Sequence, residues 1–131
     1  MTPLWPQISV FLERACARSR GRYTVRWLAE QIVNRDMQVW AAFDANGERL
    51  TGIAVTHMNL YPSGLKVLQV VAAAGRGVTT GQAVAEVIGM LRAYARAQGC
   101  AEIEWSGRKG FSRLARFAGA QDIAVICGLG V

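Results

Sequence analysis

A mixed α/β domain, with one β-sheet flanked by helices in the order α-α-β-β-β-α-β-α-β, is what this 131-residue sequence predicts. Three observations lead there. Apolar residues recur at helical spacing up to residue 33; the period then switches to strand alternation over three runs separated by turn residues. The third observation is the stretch 67–98, where an apolar strand enters a Gly/Thr-rich turn and then the longest amphipathic pattern in the chain. An antiparallel meander followed by a β-α-β crossover makes a mixed sheet with helices on both faces. The length fits a single domain over residues 1–131, able to bury about two-thirds of its unfolded surface without disulfides or metal.

Ile8, Phe11, Leu12, Ala15 and Cys16 fall at i, i+3, i+4, i+7 and i+8, which predicts a helix over 6–18. Pro6 lies in its first turn, where a missing N–H costs little, and Trp5 is expected to pack back on it. Thr24 is the expected N-cap of a second helix through residue 33, with Val25, Leu28 and Ile32 inward, Arg26 and Glu30 outward, and Asn34 closing it. From Met37 the strand period takes over. Residues 38–43 form a strand, Asp44-Ala45-Asn46-Gly47-Glu48 a turn and 50–60 a longer strand, which together make a hairpin. Tyr61-Pro62-Ser63-Gly64 is a second turn and 65–73 the third strand.

The turn Ala74-Gly75-Arg76-Gly77-Val78-Thr79-Thr80-Gly81 then leads into a helix whose start, Thr79-x-x-Gln82, fits a capping box. Ala83, Val84, Val87, Ile88, Leu91 and Ala95 form its apolar stripe, and Gly99 ends it. Residues 101–106 form a short strand, Gly107-Arg108-Lys109-Gly110 a basic turn, 111–118 a short helix stopped by Gly119, and 122–127, apolar throughout after Asp122, a strand inside the sheet.

Composition narrows the function classes. No apolar run approaches the ~18 residues of a membrane span, and the N-terminus lacks a basic flank with an apolar block, so a soluble, cytoplasmic protein with no membrane partner is expected. Cys16, Cys100 and Cys127 are odd in number, far apart and set among apolar or small neighbours; they read as buried thiols, not as a disulfide frame or zinc site. One histidine leaves no Ser/His/Asp or Cys/His set to support, and the carboxylates have no metal-site spacing. The formal charge of +6, from thirteen arginines and two lysines, suits a nucleic acid or other polyanion and is equally what a GC-rich genome produces. Arg14, Arg18, Arg20 and Arg22 crowd the end of the first helix, where a solvated basic face and a binding patch are both open; Tyr23 is the one aromatic residue read among them.

The central turn is the candidate ligand site. A strand ending in a glycine-containing turn before a helix aims backbone N–H groups and the positive end of the helix dipole at one point, which suits phosphate. The same turn also reads as an ordinary strand-to-helix connection.

The element order and this turn resemble the GNAT superfamily of acyl-CoA-dependent N-acyltransferases over nearly the whole chain. Their pyrophosphate-binding turn runs Q/R-x-x-G-x-G/A, which Arg76-Gly77-Val78-Thr79-Thr80-Gly81 matches at its first and last positions, with Thr79 in place of the middle glycine. The resemblance implies that acetyl-CoA or a related acyl-CoA binds at Val71, Ala72, Arg76, Gly77, Thr79, Thr80 and Gly81, the strand ahead of the turn splaying from its neighbour to hold the thioester. The family's downstream pattern N-x-x-A-x-x-x-Y-x-x-x-G-F, laid on Gly119-Ala120, puts Arg108 at the Asn and Ala115 at the Tyr that often protonates the thiolate. The family's first strand is also absent. The stretch Gly99-Cys100, Glu102-Ile103 and Gly107-Arg108 resembles short GNAT-like proteins of phage particle gene clusters.

Two readings follow: an acyltransferase acting on an amine, and a catalytically inactive GNAT-like scaffold that binds a protein partner or itself, as in a phage particle. Acylation requires a group that collects the amine proton and one that faces the thiolate. His57 shares a strand face with Ile53, Val55 and Asn59 and reads as a hydrogen-bonded structural residue or a base; Glu102 and Glu104 share a side of their strand; Tyr61 reads as turn packing or an acid. Arg108 and Lys109 suit an anionic group or a solvated turn.

Overall fold

Helix α1 (Leu4–Ala17) buries the stripe that its apolar spacing marks, Ile8, Phe11, Leu12 and Ala15. In the computed structural model the described residues are 4–44, 46–75, 81–106, 127 and 129–131, with backbone alone at 81–85. Beginning at Leu4, α1 takes Trp5 into the helix, 42 % exposed, instead of leaving it to pack back from outside. Pro6 is compatible with this earlier start because the first helical residues have no intrahelical acceptor for their N–H groups. Helix α2 (Val25–Val33) starts where Thr24 predicts: Oγ1 of Thr24 accepts from the Trp27 N–H at 3.1 Å, and the Asn34 N–H closes the other end on Glu30 O at 2.9 Å.

Four strands, β1 (Gln38–Phe43), β2 (Leu50–Leu60), β3 (Lys66–Gly75) and β4 (Glu102–Trp105), form one sheet in the order β1-β2-β3-β4. The first two pairings are antiparallel and the third is parallel, joined through helix α3 (Gly81–Ala97), so the sheet is mixed as expected. The basic turn 107–110, the helix 111–118 and nearly all of the strand 122–127 lie outside the described residues.

The helices cover opposite faces. Alternation along β2 turns Ile53 and Val55 toward α1 and α2, where they join Phe11, Leu12 and Leu28 in one core cluster. On the other face Leu68 meets Leu91 and Ala95 of α3, with Trp40, Met58 and Ile103 around them. Thr56, fully buried there, is satisfied on both counts: the Trp40 indole N–H donates to its Oγ1 at 2.9 Å and its hydroxyl donates to Gln38 Oε1 at 3.1 Å. Trp40 is held in turn edge-on to Tyr94, ring centres 5.1 Å apart.

Strand β3 runs to Gly75, two residues past its expected end. Ala73, Ala74 and Gly75 pair with Ala54, Ile53 and Gly52. The glycine pair permits a close approach, since a Cβ on Gly52 would lie 3.0 Å from the Ala74 carbonyl oxygen. Among the described residues, no helix is long and apolar enough to cross a membrane and no group of His, Cys, Asp and Glu could hold a metal. Cys16 and Cys100 are half-buried free thiols, and burial raises the Cys16 pKa; Cys127 is exposed, contrary to the expectation from its apolar neighbours.

Candidate functional site at the end of the β3–β4 pairing

β3 and β4 run together only from Val67–Val70 against Glu102–Trp105. Past Val70, β3 continues through Gly75 with no partner on its β4 side among the described residues. A β-bulge falls at the same place: Val55 faces Ala72 and Thr56 faces Val70, so Val71 has no partner on β2 either. The side chains of Val71 and Ala72 both pack against the α1–α2 cluster, so this length of strand offers main chain to whatever lies beside it. At ~3.3 Å per residue the open edge from Val71 to Gly75 is roughly 16 Å long.

Helix α3 begins at Gly81, and its first turn contains no acidic residue. The free N–H groups and the positive dipole end at that terminus favour an anion. Of the seven candidate binding residues, the structure places Val71 and Ala72 at the bulge and Gly81 at the start of α3. Arg76, Gly77, Thr79 and Thr80, with the capping box, lie outside the described residues, as do Arg108, Lys109 and Ala115.

One residue before the bulge, the ladders align His57, Gln69 and Glu104 in a row across β2, β3 and β4. The row lies on the face opposite Met58 and Leu68, the residues that meet the α3 cluster. His57 Nε2 and Gln69 Oε1 are 2.6 Å apart, so that nitrogen carries the proton and donates. The Tyr61 hydroxyl reaches back from the β2–β3 turn to donate to Glu104 Oε1 at 2.7 Å. That hydrogen bond, followed by slight burial and the carboxylate's charge, raises the Tyr61 pKa above its ordinary value. Thus His57, Tyr61 and Glu104, which sequence spacing treats separately, share one polar row. Gln69 is the member that sequence reasoning missed; its signal is the register of the hairpin, which sets it opposite His57 when counted back from the turn.

The chain matches no protein-family model and no curated protein. Its architecture has clear counterparts among solved structures. A predicted acetyltransferase from Clostridium acetobutylicum, crystallised with acetyl-CoA, superposes with a TM-score of 0.68 at 14% identity, covering 94% of this chain and 88% of that one. Glucosamine-6-phosphate N-acetyltransferase from Arabidopsis thaliana superposes at 0.67 with 10% identity, covering 93% and 87%. Ribosomal-protein-alanine N-acetyltransferase from Brucella melitensis superposes at 0.65 with 17% identity, covering 95% and 92%. At such identities the likeness concerns architecture alone: the chain has a GNAT-like fold, the one these structures share.

Proposed function

We propose that this protein binds acetyl-CoA or a related acyl-CoA along the open edge of β3 and transfers the acyl group to an amine. The observation that carries the reading is that the described β3–β4 pairing ends at Val70, where a bulge also leaves Val71 without a β2 partner. The fit is chemical as well as geometric. An extended thioester arm needs main-chain hydrogen-bonding groups along a strand edge, which residues 71–75 leave without a β4 partner among the described residues. A diphosphate needs N–H donors without competing carboxylates, which suits the start of α3. Bound there, acyl-CoA supplies an activated carbonyl; the chain's own part is to hold and orient it and to manage the amine proton.

For that proton the polar row provides the groups. Glu104 has Oε1 engaged by Tyr61, which fixes the carboxylate and leaves Oε2 to accept from an ammonium or amine. His57, donating through Nε2 to Gln69, keeps Nδ1 as an acceptor.

Calorimetric titration with acetyl-CoA and with desulfo-CoA tests the binding. Saturable binding of both is expected, and absence of binding at millimolar ligand overturns the reading. Gly81→Asp places a carboxylate at the helix N-terminus, where it favours the helix but repels phosphate, so it abolishes binding while leaving the thermal transition in place. Binding without thiol release on any amine would leave the catalytically inactive scaffold as the function.

A further inference from the structure

Residues 14–26 contain Arg14, Arg18, Arg20, Arg22 and Arg26 and no carboxylate. All five are exposed. Arg26 pairs with Glu30 at 3.3 Å and Arg14 lies 5.6 Å over the Phe11 ring, whereas Arg18, Arg20 and Arg22 form no ion pair among the described residues. Arginine content is a matter of composition; the grouping of five of the thirteen on one loop and the two adjoining helix ends is a matter of placement.

The loop between α1 and α2 is tied down by its own polar groups. The Ser19 hydroxyl donates to Cys16 O at 2.7 Å and accepts from the Tyr23 N–H at 3.2 Å, and the Arg22 guanidinium donates to Ser19 O at 3.3 Å. Arg20 and Gly21 both take left-handed backbone, with φ of 55° and 78°. What this loop presents is an aromatic pair: the Tyr23 ring stacks on Trp27, centres 5.7 Å apart and planes 16° from parallel. The capped first turn of α2 thus brings a second ring to the single tyrosine seen among the arginines in the sequence. Trp27 remains 40 % exposed, and with Arg22, Tyr23 and Thr24 it lines an open hollow of about 380 Å³.

We propose that this surface binds single-stranded nucleic acid, a base stacking against the Trp27 indole while Arg18, Arg20 and Arg22 hold neighbouring phosphates. Capping α2 explains the Tyr23–Trp27 stack but calls for neither an exposed indole nor a carboxylate-free arginine cluster beside it. Base stacking combined with phosphate contacts calls for both. An unpaired strand, unlike a duplex, has base faces to offer. The inference is independent of acyl transfer.

The test uses the full chain and labelled 15-nucleotide oligo-dT and oligo-U, followed by fluorescence anisotropy and tryptophan quenching. Either oligonucleotide binding supports the proposal, and their ratio tells DNA from RNA. If three phosphates are neutralised, affinity falls about twentyfold between 50 and 200 mM salt. Trp27→Ala weakens binding roughly fivefold or more with the salt slope unchanged, whereas Trp27→Phe, which keeps a ring, stays within about twofold. Arg18→Ala and Arg20→Asn each reduce the slope by about 0.7; asparagine is chosen at 20 because it tolerates left-handed backbone. Three outcomes overturn the proposal: no binding at 50 mM salt, equal binding of inorganic polyphosphate with Trp27→Ala neutral, or binding to phosphatidylserine vesicles with neither oligonucleotide bound.

Discussion

Gly52→Ala probes the place where β3 is carried beyond its pairing with β4. Gly52 faces Gly75 in the β2–β3 ladder, and a Cβ added to it would lie 3.0 Å from the Ala74 carbonyl oxygen and 3.3 Å from the Gly75 Cα. Both neighbours are main chain, so the ladder itself must open by a few tenths of an ångström. Overpacking of this kind costs ~1–3 kcal/mol, from which the reduced freedom of the unfolded chain returns ~0.4–1 kcal/mol. A net loss of about 1–2 kcal/mol is expected. Gly89, exposed in α3 with nothing within 4 Å of an added Cβ, provides the opposite case. There alanine relieves only a helix-propensity penalty and stabilises by ~0.5–1 kcal/mol. Urea unfolding of the two variants separates the effects: with a slope of about 2 kcal/mol per molar, Gly52→Ala lowers the midpoint by roughly 0.5–1 M and Gly89→Ala raises it by a few tenths. A Gly52→Ala protein as stable as the parent, beside a stabilised Gly89→Ala, would refute the close approach of β2 and β3 at this end.

Other perturbations test the remaining parts of the framework. Thr24→Ala removes the cap on Trp27 N–H and lowers stability by ~1 kcal/mol in the same urea assay. Thr56→Val strands the Trp40 indole N–H and the Gln38 side chain at a fully buried position, a loss of ~1–3 kcal/mol accompanied by a changed near-ultraviolet Trp signal; Thr56→Ser, which keeps the hydroxyl, loses less. Because the Glu104 hydrogen bond raises the Tyr61 pKa, its contribution to stability is intact below the ordinary phenol value and fades as pH rises through the raised one. Absorbance titration of the phenolates therefore shows one tyrosine ionising late, and Glu104→Gln moves it back toward the ordinary value.

What could be read from the sequence was whatever local chemistry controls. Thr24 caps α2 because its hydroxyl meets an amide three residues on, and β1 and β2 occupy the residues their alternation marks. The end of β3 was hidden because glycine signals a turn more often than a paired strand, and only the tertiary partner Gly52 turns Gly75 into a ladder residue. The bulge was hidden for a related reason: Val70, Val71, Ala72, Ala73 and Ala74 are all small or apolar, so no contrast between inward and outward residues marks a slip in register. The candidate site was legible at the level of the element, a strand leading to a helix N-terminus, but not at the level of the polar row. Tyr61 and Glu104 are 43 residues apart and meet only because the parallel crossover lays β4 beside β3. The Tyr23–Trp27 stack needed the observed geometry, although its i, i+4 spacing was there to be seen.

The central claim is that acyl-CoA lies along the open edge of β3, and amide-resolved NMR titration with acetyl-CoA tests it most directly. The largest shifts are expected at Val71, Ala72 and Ala73 and at the first residues of α3, with Arg26 and Glu30 on the exposed side of α2 unmoved. Shifts that spare residues 71–73, or none at millimolar ligand, would contradict it.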